Sequence, residues 1–191
     1  MKDNNVIFFD CFGLFAEDPF TAYFKRHFND QSLSLKEHFC NGCDLGDISF
    51  YQLLTNMKNE LGVDPEQVLK EVIEIGRLRT SMVELALQCK EKHTVVLLSN
   101  CMEEMMKVLF EDTCFDSCFD KQYRSYEIGL IKPDLKIFEL AAKEMQIQQG
   151  HAFFFDDNPK NLPNANKAGI EGILFTSVEE CEKALKERGL L

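Results

Sequence analysis

Four short segments of the chain carry the residue types that do chemistry. Val6-Ile7-Phe8-Phe9-Asp10 is an apolar run closing on a carboxylate. Thr94-Val95-Val96-Leu97-Leu98-Ser99-Asn100 closes on a hydroxyl and an amide, and Ala152-Phe153-Phe154-Phe155-Asp156-Asp157 on two further carboxylates. Between the last two, Gly129-Leu130-Ile131-Lys132-Pro133-Asp134 offers a cation just ahead of a helical pattern. Carboxylates brought together repel one another unless a proton or a hard cation sits among them. Magnesium suits such a set: it accepts one or two carboxylates, keeps waters, and takes its remaining ligands from a substrate phosphate.

Taken singly, each segment has a plainer reading. An Asp at a strand end serves a turn, Ser-Asn caps a helix, and a lone lysine is a solvated surface group. Asp156-Asp157-Asn158-Pro159 reads as a turn before a helix whose dipole favours acids there. The specificity lies in the set.

The elements that must position these groups follow from periodicity. The three apolar runs read as buried parallel strands with polar carboxyl ends, and Ile170–Phe175 is a fourth strand candidate. Helical patterns occupy Met82–Lys92, Glu103–Phe110, Asp134–Met145 and Val178–Arg188. Alternating strands and helices predict an α/β fold, a doubly wound, Rossmann-like parallel sheet with its ligand beyond the carboxyl ends of the strands. From Phe15 to about Ile75 no strand is evident, and helix candidates lie at Pro19–Phe28, Ile48–Leu61 and Pro65–Ile75. This is expected to be a helical insertion standing over the mouth of the sheet as a cap. The expected organisation is a core of residues 1–15 and 76–191 with a small α-helical cap at 16–75.

Composition narrows the partners. With 191 residues, 45% hydrophobic, 17 Phe and 4 Tyr, the chain has ample core for one domain, which excludes disorder, collagen and coiled coil. Its 21 Lys+Arg against 32 Asp+Glu give a formal charge of −11, which repels nucleic acid and anionic lipid. Neither is expected as a partner, and a bound phosphate needs a local cation or metal. The segment Met1–Phe15 is apolar only over Val6–Phe9 and lacks a small-residue cleavage site, so it is not read as a signal peptide. No run approaches the ~20 apolar residues of a membrane span, and a cytoplasmic protein is expected. The 8 Cys are scattered and expected to be reduced thiols. His38-Phe39-Cys40-Asn41-Gly42-Cys43 holds one Cys-x-x-Cys without the second ligand pair of a structural zinc site. Lys25, Arg26 and His27 read as a solvated helix face.

In order along the chain, Phe8-Phe9-Asp10-Cys11-Phe12-Gly13, Leu97-Leu98-Ser99-Asn100, Lys132-Pro133-Asp134 and Phe155-Asp156-Asp157-Asn158-Pro159-Lys160-Asn161 resemble the four motifs of the haloacid dehalogenase superfamily of phosphohydrolases. The insertion after the first motif is similar to the small cap of the branch containing sugar-1-phosphate phosphatases and the N-terminal phosphatase domain of soluble epoxide hydrolases. Gly46-Asp47-Ile48-Ser49 and the Ser99-Asn100 pair also resemble the sugar-phosphate enzymes.

The resemblance implies an Mg²⁺-dependent phosphatase acting on a small phosphorylated metabolite such as a sugar phosphate. Asp10 would attack phosphorus to form an aspartyl-phosphate. Mg²⁺ would be held by Asp10, the backbone carbonyl of Phe12 and Asp157, with Asp156 acting through a water. Ser99 and the Asn100 backbone would hold the phosphoryl oxygens, Lys132 would neutralise both phosphate and Asp10, and Asn161 would brace the fourth motif. Phe12 departs from the pattern, since the phosphatases usually carry there a second Asp that protonates the leaving oxygen. Loss of general acid help costs typically 10² to 10⁴ in rate, so turnover should be slow unless the leaving group is good or another group substitutes. Haloacid dehalogenases hold an aromatic residue at that place, which makes metal-independent 2-haloacid dehalogenation the second reading; the Asp156-Asp157 pair speaks against it. A catalytically weakened member that binds a phosphometabolite or a protein partner is the third.

Overall fold

The computed structural model describes residues 5–191, the Asp30 side chain excepted; residues 1–4, at the head of the expected core segment, lie outside the described residues. The chain begins with β1 (Val6–Phe9) and runs into four helices. These are α1 (Pro19–Phe28), α2 (Ser32–Asp44), α3 (Phe50–Leu61) and α4 (Pro65–Ile75). Local chemistry sets their ends. Asp18 caps α1 by accepting from the Thr21 N–H, and Pro19 occupies a first-turn position that needs no donor. A reciprocal Ser49–Gln52 capping box opens α3, which stops at Gly62 in the left-handed region.

Beyond them come α5 (Thr80–Lys92), β2 (Thr94–Ser99), α6 (Glu103–Phe110), β3 (Lys121–Arg124), α7 (Ser125–Ile128) and α8 (Leu135–Glu144). The chain ends with β4 (Ala152–Asp156), α9 (Leu162–Lys167), β5 (Glu171–Leu174) and α10 (Val178–Glu187).

All strand pairs are parallel, in the order β3-β2-β1-β4-β5. The two-residue period of the strands splits the apolar side chains between two layers. Ile7, Phe9, Val95, Leu97, Phe153 and Phe155 share a core with Met82, Ala86 and Cys89 of α5 and Leu185 of α10. Val6, Phe8, Val96, Leu98 and Phe154 share another with Ile137, Phe138 and Ala141 of α8 and Ala165 of α9. This is the expected α/β doubly wound sheet with helices on both faces.

A third apolar cluster belongs to the four inserted helices. Phe20 and Phe24 of α1, Phe39 of α2, Leu53 and Met57 of α3 and Val68 and Val72 of α4 pack together, and Met102 and Met105, just past β2, complete it. Those two methionines fasten the insertion to the segment that follows Ser99 and Asn100. Among the described residues no helix is long and apolar enough to cross a membrane.

Four elements were not anticipated from the sequence: β3, α2, and the short α7 and α9. β3 reads Lys-Gln-Tyr-Arg and is an edge strand with only Tyr123 buried, so it lacks the apolar run of its neighbours. α2 carries Ser, His, Cys, Asn and Gly, all modest or poor helix formers, and is held by packing of Phe39, Cys40 and Cys43. α3 starts at Phe50 rather than Ile48 because Ser49 caps it.

Candidate active site

Parallel register delivers the strand ends to one edge. Phe9 pairs with both Leu97 and Phe155, and the ladder extends one step as the Asp10 N–H donates to the Phe155 carbonyl at 3.0 Å. Asp10, Ser99-Asn100 and Asp156-Asp157 therefore emerge side by side. After Asp10 the chain turns sharply at Gly13, with φ +88°. A Cβ there would lie 2.2 Å from Asp157 Cγ, so only glycine leaves room for that carboxylate. Oxygens of Asp10, Asp156 and Asp157 all lie within 4.8 Å of one another.

Lys132 lies at the centre of this group. Its Nζ is 2.8 Å from Asp10 Oδ1 and 2.8 Å from Asp156 Oδ2, and it is almost completely buried. The Asn100 side chain grips the Lys132 peptide, accepting from its N–H at 2.8 Å and donating to its carbonyl at 2.9 Å. Asp156 is wholly buried and also accepts from Asn161 Nδ2 at 2.8 Å and from the Asn158 N–H at 2.7 Å. Asp10 takes both of its carboxylate hydrogen bonds on Oδ1, from Lys132 and from the Cys11 N–H at 2.7 Å. Its Oδ2 receives none from the described residues. The buried Ser99 hydroxyl makes one long bond, 3.3 Å, to the Asn100 carbonyl.

Electrostatics follow from burial. Burial pushes Asp10 up to about 7, with Asp156 and Asp157 adding to the rise and Lys132 opposing it. Burial and the neighbouring Asp156 also raise Asp157. Burial would lower Lys132, but Asp10 and Asp156 together hold it above the ordinary lysine value. One ammonium faces three carboxylates, so the group is short of positive charge. An all-oxygen donor set with that deficit, kept open by Gly13, fits a hard divalent cation such as Mg²⁺.

The half-buried Phe12 ring lies 6.3 Å from that of Phe110 and walls a small cavity of about 20 Å³ together with Asp18, Phe20, Lys36, Asp44, Asn100, Met102 and Met105. That is room for about one water. Of the expected site residues, Asp10, Asp156 and Asn100 contact Lys132, Asp157 stands beside Asp10 and Asp156, Ser99 ends β2 next to Asn100, and Phe12 lines the cavity with Asn100; Asn161 donates to Asp156. The Asn100 side chain is committed to Lys132, a bond that sequence reasoning did not foresee. Asp18, Lys36 and Asp44 were also missed. The signal for the last two was a stripe of Lys36, Cys40 and Asp44 at successive four-residue steps, readable only once α2 is known to be a helix. The Cys40 and Cys43 thiols of the Cys-x-x-Cys are packed into the insertion's apolar core.

The model of the haloacid dehalogenase-like hydrolase family matches residues 24–169, which hold the second, third and fourth of the segments above. The chain belongs to the haloacid dehalogenase-like hydrolases. The matched stretch starts after Asp10, so the placement of that residue rests on the geometry just described. Among curated proteins, a drimenol cyclase of Aspergillus calidoustus is 30% identical over 100 residues, 49% of this chain and 19% of that protein. The chain thus spans about a fifth of that relative's length. A haloacid dehalogenase-like enzyme from Bacteroides thetaiotaomicron, solved with magnesium and inorganic phosphate, has the same fold: 22% identity, TM-score 0.74, covering 90% of this chain and 94% of that one. So has the L-2-haloacid dehalogenase of Xanthobacter autotrophicus, solved with chloropropionic acid covalently bound, at 13% identity and TM-score 0.62, covering 98% and 84%.

Proposed function

We propose that this hydrolase is a Mg²⁺-dependent phosphatase that cleaves a small phosphomonoester through an aspartyl-phosphate on Asp10. The observation that carries the reading is the unbonded Oδ2 of Asp10, held at a site where Lys132 fixes the other oxygen and two more carboxylates stand within 4.8 Å. Lys132 orients the carboxylate through Oδ1 and leaves Oδ2 free to attack phosphorus. The same ammonium, with the Asn100 N–H and the Ser99 hydroxyl rotated out of its weak bond, would receive the phosphoryl oxygens. Asp156 positions Lys132 from behind, and Asn100 does so from the backbone side. Asp10, the Phe12 carbonyl and Asp157 would hold Mg²⁺, with Asp156 reached through a water; bound there, the ion supplies the positive charge that the three carboxylates and a phosphate lack.

In this reading residues 16–75 act as a cap over a core of 1–15 and 76–191, and select the substrate. The cavity under the cap holds about one water, so a leaving group as large as a sugar requires the cap to shift. The magnesium and phosphate bound by the Bacteroides enzyme support the proposal through the shared fold. Dehalogenation is the second reading, favoured by the aromatic Phe12 and by the shared fold of the Xanthobacter enzyme; the charge deficit around Lys132 weighs against it.

The test is phosphate and halide release from a panel of phosphate esters and 2-haloacids, with Mg²⁺ and with EDTA. Mg²⁺-dependent phosphate release that disappears in Asp10→Asn, with an unchanged melting curve, is the expected result. Halide release in EDTA would replace the proposal with the second reading, and no turnover of either class would leave a binding protein.

A further inference from the structure

Phe12 cannot transfer a proton, yet the cavity it walls is also lined by an acid whose carboxyl makes no hydrogen bond to any described residue. Of the three charged residues in that wall, Asp18 and Lys36 are ion-paired, and Asp18 also accepts from the Thr21 N–H at 2.9 Å and hydroxyl at 2.8 Å. Asp44 is different. It is 8% exposed, lines the cavity, and its carboxyl receives no hydrogen bond from any described residue. Only its backbone is fastened: the Ser125 hydroxyl donates to the Asp44 carbonyl at 2.5 Å and accepts from the Cys101 N–H at 3.0 Å. Through Ser125 the end of α2 is tied to the residue next to Asn100, and the Asp44 carboxyl shares its cavity with Phe12 and Asn100.

A buried carboxylate without a donor is costly, whereas a carboxylic acid facing a small cavity can give its proton to a basic oxygen that enters it. We infer that Asp44 is the proton donor to the departing oxygen of the substrate, filling from the insertion the role that Phe12 cannot perform. The inference rests on the phosphatase reading. Burial pushes Asp44 up to about 7, Lys36 pulls it down and Asp18 adds to the rise, which suits an acid that must be charged and discharged near neutral pH. The thiols around it, Cys40, Cys43 and Cys101, are all pushed upward by burial and stay protonated there.

The step balances. Asp10 carboxylate attacks phosphorus, the P–O bond to the leaving group breaks, and the departing alkoxide takes the Asp44 proton and leaves as an alcohol. Water then attacks the aspartyl-phosphate, its proton passes to the Asp44 carboxylate, and hydrogen phosphate departs with Asp10 and Asp44 restored.

The experiment compares kcat/KM of the Mg²⁺-loaded protein and of Asp44→Asn over phosphate esters of graded leaving-group pKa. The expected loss is about 10² to 10⁴ for primary alkyl phosphates and under tenfold for aryl and acyl phosphates, whose leaving groups need no proton. Asp44→Glu should recover much of the alkyl activity, and Phe12→Asp in the Asp44→Asn background should restore it from the other side. In the natural protein alkyl turnover should fall as pH rises past about 7, with no such limb for aryl esters. Equal losses across the series would make Asp44 a structural residue, and no loss on alkyl esters would remove it altogether; either overturns the inference while leaving the phosphatase reading intact. Absence of turnover on every ester, aryl and acyl included, overturns both.

Discussion

Replacing Lys132 with methionine removes the ammonium between Asp10 and Asp156 and keeps nearly the same volume. The two carboxylates it bridges at 2.8 Å are buried, Asp156 completely. Breaking a buried ion cluster by deleting one partner costs about 3–5 kcal/mol, because the remaining charges stay desolvated. For a chain of 191 residues with an unfolding entropy near 2.1 cal/mol/K per residue, that is a melting-temperature drop of about 7–12 °C.

The pH dependence has a definite sign. Asp10 already stands near 7 in the folded chain against 3.8 unfolded, and loss of the lysine raises it further. An acid raised on folding costs nothing below its unfolded value; the cost grows as pH rises and levels off above the folded value. The drop should therefore be larger at pH 8.5 than at pH 5, and Asp156→Asn added to Lys132→Met should recover part of it. Thermal unfolding by circular dichroism, in EDTA so that no cation shields the carboxylates, gives the numbers. A drop below about 2 °C at pH 8.5, or an equal drop at both pH values, would refute the picture of a buried cluster neutralised by one lysine.

Asp157→Ala should weaken Mg²⁺ binding at least tenfold with little change in melting temperature, whereas Asp156→Ala should act mainly on stability by stripping the acceptor from Lys132, Asn161 and Asn158. Calorimetric Mg²⁺ affinities that fall equally in the two variants would show that the ligand assignment is wrong. Gly13→Ala puts a methyl 2.2 Å from Asp157 Cγ at a φ of +88°, so it should lose Mg²⁺ affinity and about 1–3 kcal/mol of stability. Wild-type affinity by titration calorimetry would mean that Asp157 does not need the space Gly13 provides.

The strands that build the reaction edge were legible because each is an apolar run ending in a polar residue, and parallel register then has little freedom in where it sets those ends. Lys132 could be placed near them only by its motif; that it bridges Asp10 and Asp156, and that Asn100 grips its peptide, depends on side-chain directions that no spacing encodes. β3 was invisible because three of its four residues are polar and its edge position asks for only one buried side chain, Tyr123. α2 was invisible because its helicity comes from contacts with the other inserted helices rather than from its own propensities. With α2 went Asp44, whose isolation from hydrogen-bond donors is a property of the packed insertion and of Ser125, 81 residues further along the chain.

The position of β1 has a consequence for how the chain is made. It lies in the middle of the sheet, but both neighbours are synthesised after it: β2 follows by about 90 residues and β4 by about 150. At ribosomal speeds of about 5–20 residues per second, Val6-Ile7-Phe8-Phe9 waits roughly 4–18 s for its first partner and roughly 7–30 s for its second. During that interval α1 to α4 are already available and can gather most of their own apolar cluster, while four contiguous apolar residues have no strand to pair with and are open to pairing with another nascent chain. Asp10, next in line, acquires Lys132 only once the chain has passed β3, and Asp156 only once β4 has docked. The first acid of the site to leave the ribosome is thus among the last to find its surroundings, and a chain truncated before β4 would hold that carboxylate without Asp156.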